Sequence, residues 1–83
     1  MALDTRGWLD RYAAAIGRPP VTDDEIETLL ALAGVAAHAS ERTAAPITCY
    51  LAALSGESLA TALSAARELA DKVASEPDTH GDG

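Results

Sequence analysis

The sequence has no phenylalanine, one tryptophan, two tyrosines and one cysteine. Each shortage excludes something. The single thiol, Cys49, can neither close an intrachain disulfide nor build a cysteine zinc cluster. Basic residues are scarce, 6 Lys+Arg against 13 Asp+Glu, and the formal net charge is −7. Nucleic-acid backbones and anionic membrane surfaces repel such a chain, so neither is expected as a partner. Basic and aromatic residues do not interleave as they do in nucleic-acid readers. No apolar run approaches the roughly 18 residues of a membrane span, because the longest, Leu29 to Ala39, is interrupted by Gly34 and His38. The start, Met-Ala-Leu-Asp-Thr-Arg-Gly-Trp, lacks the basic stretch and apolar run of a secretory signal, and a cytoplasmic location is expected. A Gly-rich phosphate loop and a paired-carboxylate signature are also missing.

What is present is alanine. Hydrophobic residues are 48% of the 83, and alanine supplies much of that share. The periodicity predicts an all-α protein, a small four-helix bundle over residues 1–74 with a flexible tail at 75–83. A first helix is expected from Thr5 to Ile16, capped by Asp4 or Thr5, with Leu9, Tyr12, Ala13 and Ile16 on one face. Gly17 suits a left-handed stop, and Pro19-Pro20 prevents resumption. Thr22-Asp-Asp-Glu25 reads as a capping box, and its acids suit the positive end of a helix dipole. The second helix should bury Ile26, Leu29, Leu30, Ala33 and Ala37. Gly34 costs roughly 1 kcal/mol mid-helix relative to alanine, and close approach of a neighbouring helix would compensate. After a break at Ala39 to Ala45, Pro46 fits the first turn of a third helix carrying Ile47, Tyr50, Leu51 and Leu54. Ser55-Gly56 ends it. Ser58 can cap a fourth helix, Leu59 to Ala74, with Leu59, Ala62, Leu63, Ala66, Leu69, Ala70 and Val73 inward.

Such a core is thin. Burying a large apolar side chain stabilises by roughly 1.5–3 kcal/mol, while ordering each residue costs on the order of 1.5 kcal/mol. About a dozen large side chains therefore close a core only narrowly, and domains of this size are marginal when isolated. A protein partner or a homodimer is expected.

The densest polar cluster is His38, Ser40, Glu41, Arg42 and Thr43, followed by Pro46. Two readings stay open. An unpaired helix N-terminus beside a guanidinium can hold a phosphate or carboxylate. Alternatively, His38 and Arg42 bind the last carbonyls of the second helix, Ser40 or Thr43 caps the third, and Glu41 pairs with Arg42 or faces water. His38, Glu41 and Cys49 match no zinc spacing, so no metal site is expected. Cys49, between Ile47 and Leu51, reads as a small core filler rather than a nucleophile. Trp8 and Tyr12, four apart, are either core residues or exposed interface anchors.

The segments Trp8-Leu9-Asp10, Thr22-Asp-Asp-Glu25, Val35-Ala-Ala-His38-Ala-Ser-Glu-Arg42-Thr-Ala-Ala-Pro46 and Tyr50-Leu51-Ala resemble a small domain of actinobacterial proteins. That domain occurs alone and fused behind molybdenum cofactor guanylyltransferase. The resemblance spans roughly Thr5 to Ala74, and the His-x-Ser-Glu-Arg-x-x-x-Pro segment is its most specific part. It implies a link to molybdenum cofactor biosynthesis without the nucleotidyl transfer, since the nucleotide loop is missing. The expectation is a non-catalytic accessory module with no catalytic residues and no bound cofactor of its own. Its link to molybdopterin would be indirect. It would bind the guanylyltransferase, or an anionic pterin, through His38, Ser40, Glu41, Arg42 and Pro46. The alternative is a self-associating structural module, a homodimer without ligand. A small enzyme using His38 and Glu41 is a third reading, although so small a domain rarely encloses a substrate pocket.

Overall fold

The computed structural model describes residues 3–76. Helices account for most of them: α1 (Thr5–Ala15), α2 (Asp23–Ala39), α3 (Ala44–Ser55) and α4 (Leu59–Ser75), with no strand among the described residues. The expected all-α class with four helices is what is found. The tail expected at 75–83 lies outside the described residues except for Ser75, which closes α4, and Glu76.

The helix ends follow local chemistry. The Gly7 amide donates to the Asp4 carboxylate at 2.7 Å, which caps α1. At the other end Gly17 takes φ 73°, the Gly17 amide donates to the Ala14 carbonyl, and the Arg18 amide reaches the Ala13 carbonyl at 2.8 Å. This pair of bonds is a Schellman stop, and it turns the chain into the Pro19-Pro20 segment. The capping box of α2 is complete: the Glu25 amide donates to the Thr22 hydroxyl at 3.1 Å, and the Thr22 amide donates to the Glu25 carboxylate at 2.7 Å. Asp23 and Asp24 sit in the same first turn, where the dipole favours them. Thr22→Ala removes one side of this box and is expected to lower unfolding stability by about 1 kcal/mol, read from the midpoint of a urea titration. Ser58 caps α4 by accepting from the Thr61 amide at 3.1 Å. The break Ser55-Gly56 works through the left-handed Gly56, φ 77°.

α3 begins two residues before Pro46. The Ala44 and Ala45 amides donate to the Glu41 and Arg42 carbonyls at 2.9 and 3.1 Å, so the tight turn at 41–43 feeds straight into the helix. Pro46 then occupies the third helical position, where a missing N–H still costs nothing.

The packing is uneven. α2 is the central helix and packs against both α3 and α4, while α3 and α4 touch only slightly. α1 lies apart, its backbone not coming within 8 Å of another helix. Instead it folds along its own exit segment, with Leu9 and Ala13 lying along a small cleft with Pro19, Pro20 and Val21. Arg6 holds this arrangement. It donates to the Val21 carbonyl at 2.6 Å, to Asp23 at 2.5 Å and to Asp10 at 3.2 Å. The bond to Asp23 first, and that to Asp10 second, raise the Arg6 pKa above its ordinary value.

Among the described residues only Ala13 and Leu32 are buried, Leu32 at 1% exposure. Several residues expected in the core are not there. In α2, Leu30 points outward and Leu32 takes the centre. The two lie roughly 200° apart around the helix, and a helix clamped between two neighbours buries the arc that faces both. In α3, Ile47, Tyr50, Leu51 and Leu54 are exposed, whereas Ala45, Thr48, Cys49 and Ala52 are half-buried. The helix thus turns its small residues inward and its large apolar stripe outward. Cys49 is half-buried as a small filler, its thiol 3.9 Å from the Leu29 carbonyl. In α4, Leu59, Ala62, Leu63, Ala66 and Ala70 are half-buried, but Leu69 and Val73 are exposed.

The close helix approach expected at Gly34 is also not found. A methyl group there would meet nothing within 4 Å. Gly34→Ala is therefore expected to stabilise the chain, by roughly 0.5–1 kcal/mol through helix propensity, measured as a rise in the denaturation midpoint.

Candidate interaction surface

The corner between α2 and α3 carries the five residues singled out in the sequence. His38 lies in the last turn of α2, Ser40 is its C-cap, Glu41 and Arg42 lie in the connection, and Pro46 lies in the first turn of α3. All five are exposed. The local uses considered for them are mostly not made. Thr43 stands at the N-cap of α3 in a helical conformation without a side-chain cap, and Ser40 caps no helix with its hydroxyl. Among the described residues, His38, Ser40, Glu41 and Arg42 have no side-chain hydrogen bond or ion pair.

The corner's backbone is less free than its side chains. The first two amides of α3 already serve the Glu41 and Arg42 carbonyls, and Pro46 has no N–H. An anion here would have to rely on the side chains of His38, Ser40 and Arg42 rather than on a helix-end cradle.

His38 opens onto a groove of 690 Å³ between α2 and α4, lined also by Gly34, Val35, Arg67 and Asp71. Ser40 lies in an adjoining furrow between α3 and α4, which shares Val35, Ala39, Ala70 and Val73 with that groove. Arg67 and Asp71 were not anticipated. They sit one turn apart on α4, and only the packing of α4 on α2 places them beside His38.

The furrow between α3 and α4 is mostly apolar. One end is lined by Val35, Ala39, Ala44 and Val73, the other by Leu51, Ala52, Ala62 and Ala65. Thr48, Ala66 and Leu69 belong to both ends, so the furrow is continuous. Leu32 and Ala36 of α2 form its floor. Among the described residues that line it, Glu57 alone is charged.

Trp8 and Tyr12 are elsewhere, on α1, where Tyr12 and Ile16 also edge the cleft with Pro19, Pro20 and Val21. Their rings stack at 6.0 Å with an interplanar angle of 14°. Trp8 is 57% and Tyr12 51% exposed, and Ile16 continues the stripe one turn on. Of the two sequence readings, core or exposed anchor, the geometry is that of the exposed anchor.

Residues 2–80 match the family described as a domain of unknown function, DUF6457. The chain belongs to that family. A search of curated proteins and of solved structures finds no match. The DUF6457 match runs a few residues beyond the expected Thr5–Ala74 at both ends, so it takes in every helix and both apolar surfaces. Among the described residues, no three metal-ligating side chains come together, and no helix is long and apolar enough to cross a membrane.

Proposed function

We propose that this DUF6457 domain is a non-catalytic, cytoplasmic interaction module associated with molybdenum cofactor biosynthesis. The observation that carries the interaction role is the exposure of many of its large apolar side chains: Trp8, Tyr12, Ile16, Leu30, Ile47, Tyr50, Leu51, Leu54 and Leu69 are all more than half exposed. Ile47, Tyr50, Leu51 and Leu54 make one exposed stripe along α3, and exposed apolar patches of this kind mark docking sites. The pathway rests on the resemblance of the His38-x-Ser-Glu-Arg42-x-x-x-Pro46 segment to an actinobacterial domain found fused to molybdenum cofactor guanylyltransferase. In this reading the guanylyltransferase is the partner, and the exposed, unpaired side chains of the corner supply polar specificity beside the apolar contact.

The test is a binding titration of purified molybdenum cofactor guanylyltransferase with the intact chain. Saturable binding is expected, weakened at least tenfold by Arg42→Ala with unchanged helicity. A guanylyltransferase that ignores the chain sinks the pathway assignment.

The self-associating module is the second reading. It is favoured by the stacked, exposed Trp8–Tyr12 pair, on a helix none of whose Cα atoms lies within 8 Å of another helix.

A further inference from the structure

We propose that the groove between α2 and α4 binds a small zwitterion with an apolar body, an amino-acid-like molecule whose carboxylate meets Arg67 and whose ammonium meets Asp71. This site goes beyond the docking role proposed above and does not depend on it.

Size and lining come first. The groove's 690 Å³ falls within the roughly 300–1,000 Å³ of small-molecule sites, which join mostly apolar walls to a few convergent polar groups. Val35, Ala70 and Val73 supply apolar wall. His38 lines it from α2, and Arg67 and Asp71 line it from α4.

The fold does not use these three side chains. Among the described residues His38, Arg67 and Asp71 make no side-chain hydrogen bond and no ion pair, and the bond that the Ser75 hydroxyl donates to Asp71 goes to its backbone carbonyl. Arg6 and Asp10 have the same four-residue spacing on α1, and they do close, at 3.2 Å. Arg67 and Asp71 leave a positive and a negative group open on one groove, one turn of α4 apart, and His38 adds a further hydrogen-bonding group from the facing helix.

Gly34 is the second observation. Glycine inside a helix is destabilising relative to alanine, and no neighbouring helix needs its small size, since a methyl group there would meet nothing within 4 Å. Gly34 does line the groove, and it shares a face of α2 with His38 one turn on. Its missing side chain keeps the space beside His38 open.

The charge of the chain selects the class of ligand. A free anion approaches a protein of net charge −7 against repulsion, and a free cation gains nothing from Arg67. A zwitterion carries no net charge and satisfies both groups at once. The cleft beside α1 also holds an opposite pair, Arg18 and Glu25, but it is smaller, 270 Å³, and the Glu25 carboxylate already accepts from the Thr22 amide.

The test is an amide-shift NMR titration of the intact chain with three probes that share one apolar body. L-phenylalanine carries both charges, 3-phenylpropionate lacks the ammonium, and phenethylamine lacks the carboxylate. Phenylalanine is expected to saturate in the millimolar range, to move the amides of Gly34, His38, Arg67 and Asp71, and to bind at least tenfold more tightly than either analogue. Arg67→Met should bind phenylalanine no better than phenethylamine, and Asp71→Asn should bind it no better than 3-phenylpropionate. Gly34→Leu fills the groove with a good helix former. It should weaken phenylalanine binding at least tenfold without lowering the melting temperature. If Gly34→Leu loses helicity, the two charge variants, both at exposed positions, make the test alone.

A wild-type chain that phenylalanine does not saturate overturns the proposal, as do shifts confined to residues outside the groove. So does either analogue binding as tightly as phenylalanine, or a folded Gly34→Leu that binds it unchanged. A chain that binds the guanylyltransferase but not phenylalanine loses this site and keeps the proposed function.

Discussion

Leu32→Ala is expected to bring the chain to the edge of unfolding at room temperature. Among the described residues Leu32 is the one large side chain fully removed from water, and it forms part of the floor of the furrow between α3 and α4. A buried leucine cut to alanine costs about 2–5 kcal/mol, the spread depending on how far the site collapses. At the low end of ordinary stability, roughly 0.05 kcal/mol per residue, a chain of this length has about 4 kcal/mol in all. The substitution therefore takes half or more of what holds the helices together. The matched control is Leu30→Ala, two residues away and 66% exposed. It removes the same atoms from the same helix and should change stability by no more than about 0.5 kcal/mol. Thermal melts followed by circular dichroism compare the two directly. A larger loss from Leu30→Ala than from Leu32→Ala would mean that α2 presents a different face to its neighbours.

That pair of leucines shows where sequence reasoning stops. Helix boundaries were legible because they are local. Asp4, Thr22, Glu25 and Ser58 cap their helices through bonds within a few residues, and Gly17 and Gly56 end theirs by taking positive φ. The inward face was less legible, because in α2 and α3 apolar residues occur on more than one side. Ile26, Leu29, Leu30 and Leu32 are all apolar, and only the two-sided clamp by α3 and α4 selects Leu32. In α3 a large stripe and a small stripe compete, and volume favoured the large one on paper. The close contact with α2 accepts alanine, threonine and cysteine instead. For the same reason the corner at His38–Pro46 could be located but not completed: Arg67 and Asp71 join His38 only through the crossing of α4 over α2. The detachment of α1 had no local signal at all, since its pattern of Leu9, Tyr12, Ala13 and Ile16 is that of any amphipathic helix.

Arg6→Ala is expected to melt α1 without unfolding the rest. An isolated helix shorter than about 12–15 residues is marginal in water, because nucleation fixes several residues before hydrogen bonds accumulate. α1 has 11 residues, and no other helix approaches its backbone to make up the deficit. What steadies it is the Asp4 cap, the Schellman stop at Gly17 and the Arg6 clamp, and the clamp alone reaches outside the hairpin of α1 to the start of α2. Its bond to the Val21 carbonyl has a neutral acceptor, so salt that screens the exposed contacts to Asp10 and Asp23 leaves that part in place. Removing the guanidinium should take about a fifth of the helical circular dichroism, the share of α1 among the four helices, while α2, α3 and α4 melt at nearly the same temperature. The near-ultraviolet signal of the stacked Trp8–Tyr12 pair should flatten in parallel, since those rings hold their geometry only while the helix does. Arg11→Ala is the control, an exposed arginine of the same helix without a bond among the described residues, and it should leave both signals unchanged. If Arg6→Ala also dissolves α2–α4, α1 contributes to the core far more than its position allows. If neither signal moves, the helix is held by something other than its own clamp.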